Sequence, residues 1–141
     1  MSAQNVEIVR RAYAHTQATG RVHARVIAPD FIWDMSKFPW PEQQLYEGAD
    51  GAQAFLDDWT DVWDDWEFEV EAFADAGDKV VAIVRQRGRA KATGMTVDMS
   101  FAKVWTVREG KLTRMEMYAD PAQALEAVDL ENGVTPEAET P

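Results

Sequence analysis

The stretch FIWDMS seats one carboxylate, Asp34, between Phe31, Ile32 and Trp33 on one side and Met35 on the other. Facing inward, such a group loses its water, which raises its pKa and makes it a better base near neutral pH. At a strand end the same aspartate caps a turn or pairs with an arginine instead. Tyr13 offers a phenol that can donate a hydrogen bond to a carbonyl or phenolate oxygen. Its alternative is a core position with the hydroxyl satisfied. Arg85, Arg87 and Arg89 alternate along one strand-like stretch. An arginine facing a cavity binds a carboxylate, phenolate or enolate oxygen, whereas at the outer end of a strand it only solvates the strand. Asp98 is placed to pair with Arg85 or Arg87 across a hairpin. His15 and His23 read as surface residues. With two histidines and no cysteine, no metal-ligand spacing is recognisable, and neither a metal nor a cofactor is expected.

These groups need elements to hold them. The spacing predicts a helix over 3–19, with Val6, Val9, Tyr13 and Thr16 on one face and Gly20 as its stop. A short helical piece over 22–28 ends before Pro29, and DFIWDMS reads as a strand, followed by a loop with Pro39 and Pro41. A second helix is predicted over 50–65, with Phe55, Leu56, Trp59, Val62 and Trp63 on one face and aspartates on the other. The period then drops to two: Trp66, Phe68, Val70 and Ala72 alternate with Glu67, Glu69 and Glu71. Three further strands follow, KVVAIVRQRGRAK, MTVDMSFAKVWTV and LTRMEMYA, joined by short turns into an antiparallel meander. Asp120 and Pro121 open a last helix to about 129. The fold class is therefore α+β, with helices on the concave face of a curved sheet and a cavity lined by both. A single domain over 1–130 and a flexible tail over 131–141 are expected.

The chain carries 25 acidic and 14 basic residues, for a net charge of −11. Nucleic-acid binding requires the opposite sign, so nucleic acid and anionic membrane are excluded as expected partners. The acidic block from Asp57 to Glu71 reads as a solvated face, or less simply as a docking surface for a basic partner. No apolar run approaches the roughly 20 residues that span a bilayer, and MSAQNVEIVRR lacks the apolar core of a signal peptide. Together with the absence of cysteine, this leads to the expectation of a cytoplasmic protein.

The stretches YEGADGAQAFL, VVAIVRQRGRAKATG and FAKVWTVREGKLTRMEMYADPAQALEAV, in this order, resemble the SnoaL-like branch of the nuclear transport factor 2-like superfamily. The resemblance covers about residues 5–130 and implies a cone-shaped sheet, a pocket and a homodimer. Relatives of that fold include ketosteroid isomerases, polyketide cyclases, limonene epoxide hydrolases, dehydratases and binding modules without catalysis. Against the isomerases, Tyr13 stands seven residues before Gly20, where their oxyanion-binding tyrosine stands, and Asp34 matches their base. Their second oxyanion donor is replaced by Ala102 or Phe101, a loss of about 3–4 kcal/mol of transition-state stabilisation, so ordinary steroid isomerisation is disfavoured. Arg85 can match the arginine of the epoxide hydrolases, but Met115 or Met117 stands in their aspartate region, which disfavours that chemistry too. If Ala102 marks a pocket position, Asp98 and Ser100 share its face and Asp98 becomes a candidate acid.

The resemblance thus implies a small, apolar, cyclic or aromatic ligand contacted by Trp33, Trp40, Trp59, Trp63, Phe55, Arg85, Ser100, Ala102, Met115 and Met117. Asp34, Tyr13 and Asp98 are the candidate catalytic groups of a cofactor-independent isomerase, cyclase or lyase. The other reading is a non-catalytic binding or scaffolding module. Met99, Phe101, Lys103 and Trp105, joined by Arg114, Glu116 and Tyr118, are the expected dimer surface on the outer sheet face.

Overall fold

Helix α1 (Ser2–Thr19) buries Val9 and Tyr13 and ends at Gly20, whose φ of +73° suits a residue without a side chain. The computed structural model describes residues 2–40, 44–128 and 134–136. Where the spacing predicts a helix over 22–28, there is one 3₁₀ turn (Ala24–Val26) and the start of strand β1 (Ile27–Asp34). Pro29 lies inside β1. It has no N–H for the ladder, and the β1 register slips between Ile27 and Ile32. Strand β2 (Leu45–Glu47), too short to leave a periodic signal, pairs antiparallel with β1.

Helix α2 (Gly48–Asp61) buries Ala52, Phe55, Leu56 and Trp59. It stops four residues short of the predicted end, because Trp63 pairs with Ala90 and opens strand β3 (Trp63–Ala76). The Trp63 ring lies against Gly88, where a Cβ would come within 3.3 Å of it. A bulge between Val70 and Ala72 then turns Ala72 to the face opposite Trp66, Phe68 and Val70, which breaks the uniform alternation expected there. Strands β4 (Lys79–Ala90), β5 (Thr96–Arg108) and β6 (Lys111–Tyr118) complete the meander. Helix α3 (Pro121–Ala127) starts as predicted, with Asp120 Oδ1 accepting the Ala122 N–H at 2.9 Å. Strand β7 (Val134–Pro136) pairs with the edge of β3, within the segment expected as a tail; the rest of 131–141 lies outside the described residues.

The sheet order is β2-β1-β6-β5-β4-β3-β7. Every pairing is antiparallel except β1 with β6, so the sheet is mixed in an α+β cone. α1 and α2 cover one face with Phe31, Trp33, Val84, Phe101 and Trp105. α3 lies on the reverse, where Ala124 packs with Ala74, Val81, Ala102, Val104 and Tyr118. Among the described residues, no helix is long and apolar enough to cross a membrane.

Candidate functional site

Strand parity decides what the inner face presents. On β5 the inward residues are Phe101, Lys103 and Trp105, which meet Val84, Ala82 and Val80 of β4 pair by pair. Between them and the two helices lies a partly open cavity of about 60 Å³, room for several water molecules or for the leading part of an organic ligand that extends outward. Trp33, Phe55 and Trp59 form part of its wall, with Trp33 and Phe55 stacked at 4.6 Å. Its polar side chains, apart from indole N–H groups, are Tyr13, Thr16, His23 and Lys103, and no carboxylate lines it among the described residues. A wider depression of about 710 Å³ runs between α1 and β3, but it is open and flanked by Arg10, Glu69 and Glu71. This partly open cavity is the candidate site, because in it Tyr13 and Lys103 converge among apolar rings.

Lys103 is the charge in that space. Its Nζ sits 4.7 Å from the centre of the Trp33 ring and 5.8–5.9 Å from the rings of Phe101, Tyr13 and Phe55. Part of the side chain is accessible to the cavity, although it lies deep between sheet and helices. No carboxylate or hydrogen-bond acceptor pairs with Nζ among the described residues. Desolvation by burial alone pushes its amine down to about 7, because ring faces replace only part of the lost hydration.

Tyr13 stands beside it on α1. Its Oη accepts the Trp105 indole N–H at 3.1 Å, and the two rings meet edge to face at 5.8 Å. Burial raises the phenol well above its ordinary range, outweighing the bond from Trp105, so the hydroxyl stays protonated and can donate. His23 stacks on His15 at 4.6 Å, and burial, then His15 and Arg25, lower its pKa. His23 is half-buried and also lines the cavity. Behind the wall, Gln86 Oε1 accepts from the indoles of Trp59 and Trp66, each at 2.7 Å. Two donors aimed at one oxygen set the amide's orientation. They leave Gln86 Nε2 buried without a partner in the described structure.

Of the residues expected at a site, the structure brings Tyr13, Trp33, Phe55 and Trp59 together. It does not bring Asp34. A strand that turns Trp33 inward turns Asp34 outward, and its carboxylate accepts the Ser36 N–H at 2.8 Å and pairs with the Arg114 guanidinium. Burial would raise that carboxyl, but the hydrogen bonds from Ser36 and then Arg114 and Lys37 outweigh it and hold it below the ordinary value. Asp98 is on the outer face, bound to Arg85 through two bonds of 2.9 and 2.7 Å, which is the ion-pair alternative. Arg85 therefore faces away from the cavity as well. Ser100 also points outward, toward Glu71, and Ala102 belongs to the outer cluster under α3. Met115 and Met117 are inward and fully buried, and Trp40 packs behind Phe55 and Trp59, but none of the three lines the cavity; nor does Trp63.

Phe101, Lys103 and Trp105 were expected on a dimer surface and instead form the cavity wall. The signal that could have found them is parity: Val97, Met99, Phe101, Trp105 and Val107 make one face of β5 strongly apolar, with Lys103 the exception. The apolar parity belongs inside.

A sequence profile described as SnoaL-like domain matches residues 9–115. No curated protein matches the chain. Among solved structures, 194 chains match, so the fold is shared too widely to select a reaction. A nuclear transport factor 2-like protein from Burkholderia thailandensis is 29% identical, with 86% of this chain and 94% of that one covered and a TM-score of 0.70. TerC, co-crystallised with polyporic acid, is 24% identical over 89% of this chain and 98% of its own, with a TM-score of 0.69. A protein of ketosteroid isomerase-like fold from Catenulispora acidiphila, in complex with trimethylamine, is 16% identical over 89% and 94%, with a TM-score of 0.66. The last two likenesses speak for the fold alone.

Proposed function

This chain belongs to the SnoaL-like domain family, and we propose that it binds a small, largely apolar, cyclic or aromatic molecule carrying a carbonyl or phenolic oxygen. Tyr13 donates a hydrogen bond to that oxygen, and Lys103 takes and returns a proton at the carbon beside it, as in cofactor-independent isomerase, cyclase or lyase chemistry. Lys103 replaces Asp34 in the role of base. The carrying observation is the pairing of an acceptor-free ammonium with a phenol whose oxygen is already bonded by Trp105, inside one apolar cavity. An amine titrating near neutrality is matched to proton transfer at that pH. The neighbour co-crystallised with polyporic acid supports an organic ligand for this fold.

Among the described residues the lining carries no carboxylate, which favours a second reading, binding without turnover. Exchange of the α-protons of cyclohexanone or 1-tetralone in heavy water, followed by NMR, separates the two. The enzyme reading expects exchange faster than buffer that is lost in Lys103→Met. Binding shown by tryptophan quenching with no enhanced exchange supports the binding module, and no quenching by either ketone removes both. A homodimer through the outer sheet face belongs to the same proposal, tested by a light-scattering mass near twice 15.9 kDa.

A further inference from the structure

We propose that Lys103 is a covalent site, its ε-amine forming an imine with the carbonyl carbon of an aldehyde or unhindered ketone held in the cavity. The inference rests on the cavity being a ligand site and names the substrate class it takes.

Among the described residues, three of the four other lysines have a partner. Lys37 pairs with Glu116 at 3.0 Å, Lys91 with Asp61 at 3.8 Å, and Lys111 donates to the Arg25 carbonyl. Lys103 has only ring faces around its nitrogen, so once the proton leaves, no salt bridge holds the amine in its unreactive form. Desolvation leaves about half of it neutral near pH 7, which supports the geometric argument. Tyr13 supplies the second requirement. Its oxygen is held by Trp105 while its own proton has no acceptor among the described residues, so it can donate to the carbonyl oxygen and sharpen the electrophile. Trp33, Phe55 and Phe101 make the surrounding wall apolar, which suits an aryl or alicyclic body.

The step balances without any co-reactant. The neutral nitrogen attacks the carbonyl carbon, a C–N bond forms, and the π pair moves to oxygen. A proton passes from nitrogen to that oxygen to give the carbinolamine. The hydroxyl then departs with a proton as water, and the nitrogen pair closes a C=N bond. Amine plus carbonyl becomes imine plus one water. Protonation of the imine restores a cation near the place the ammonium held, facing the same rings. An iminium is also an electron sink for the adjacent carbon, so in this inference Lys103 acts as the electrophilic group in place of the base.

The test uses the full chain with benzaldehyde and sodium cyanoborohydride near pH 7, read by intact mass and peptide mapping. The expected result is benzylation of Lys103 at least about tenfold faster than of any surface lysine. Benzyl alcohol, close to benzaldehyde in size and shape but without a carbonyl, should protect Lys103 and leave surface lysines unaffected. Lys103→Met should lose the fast, protectable adduct and still quench with benzyl alcohol. Should that variant fail to fold, protection in the wild-type chain decides the matter alone. Quenching by both compounds without preferred, protectable labelling of Lys103 overturns the imine and leaves the ligand site standing. Quenching by neither, with no labelling, overturns both.

Discussion

Lys103→Met should flatten the rise of stability with pH that the buried amine imposes. In the folded protein the amine titrates at about 7, against an ordinary value of 10.5. Below the lower value both folded and unfolded chains hold the proton, and the full cost of a desolvated ammonium is present. Between the two values the unfolded chain binds more protons than the folded one, so stability rises with pH, by at most about 1.4 kcal/mol per pH unit. Above the upper value the cost is gone. Across a window from about pH 7 to 9.5 the rise is at most about 3 kcal/mol, and roughly 2–3 kcal/mol once water reaching the cavity screens part of it.

Other cavity groups do not interfere. His23 is lowered from 6.5 and titrates below the window, and Tyr13 is raised and stays protonated through it. Methionine keeps the length of the side chain and its contacts with the rings, so packing loss is small. The assay is urea unfolding followed by tryptophan fluorescence at several pH values for both chains, with the slope compared as well as the midpoint. The wild-type minus variant difference should be most negative at the acid end of the window and shrink toward its alkaline end. Two curves that run parallel across the window would mean that the amine keeps an ordinary pKa, and the nucleophile and proton-carrier roles would go with it.

Tyr13→Phe leaves the Trp105 indole N–H without its acceptor and should cost about 1–3 kcal/mol in urea unfolding, with weaker binding of oxygen-bearing ligands than of their hydrocarbon analogues. Asp34→Asn should leave ligand affinity within about twofold, since the carboxylate faces away from the cavity. It should also reduce acid sensitivity: a depressed carboxyl stabilises above its ordinary value of 3.8 and loses that contribution as pH falls through its folded value, measurable by circular dichroism during acid titration. Gln86→Leu strips the acceptor from two indoles at once and should destabilise the fold by roughly 2–4 kcal/mol, read from the urea midpoint.

Periodicity carried most of the fold. α1, α2 and the β3–β6 meander follow from 3.6- and 2-residue patterns, and α3 from Asp120 and Pro121, because those signals are local. β2 and β7, three residues each, and the parallel seam between β1 and β6 are made by pairing at long range and leave no local mark. The site was half legible. Tyr13, Trp33, Phe55 and Trp59 could be picked out by type and helix or strand position, and they do meet.

The composition, the alternating strands and the family resemblance could be read from residues alone, since each is a property of neighbours along the chain. The apolar parity of β5 points to its inward face, but only tertiary structure made a cavity there and put Lys103, not Asp98, into it. Alternation says only that the two point opposite ways. Large apolar rings on α1, α2 and β1 claim one face of the sheet for the core, and the lysine is carried in with them while the aspartates stay outside on their arginines.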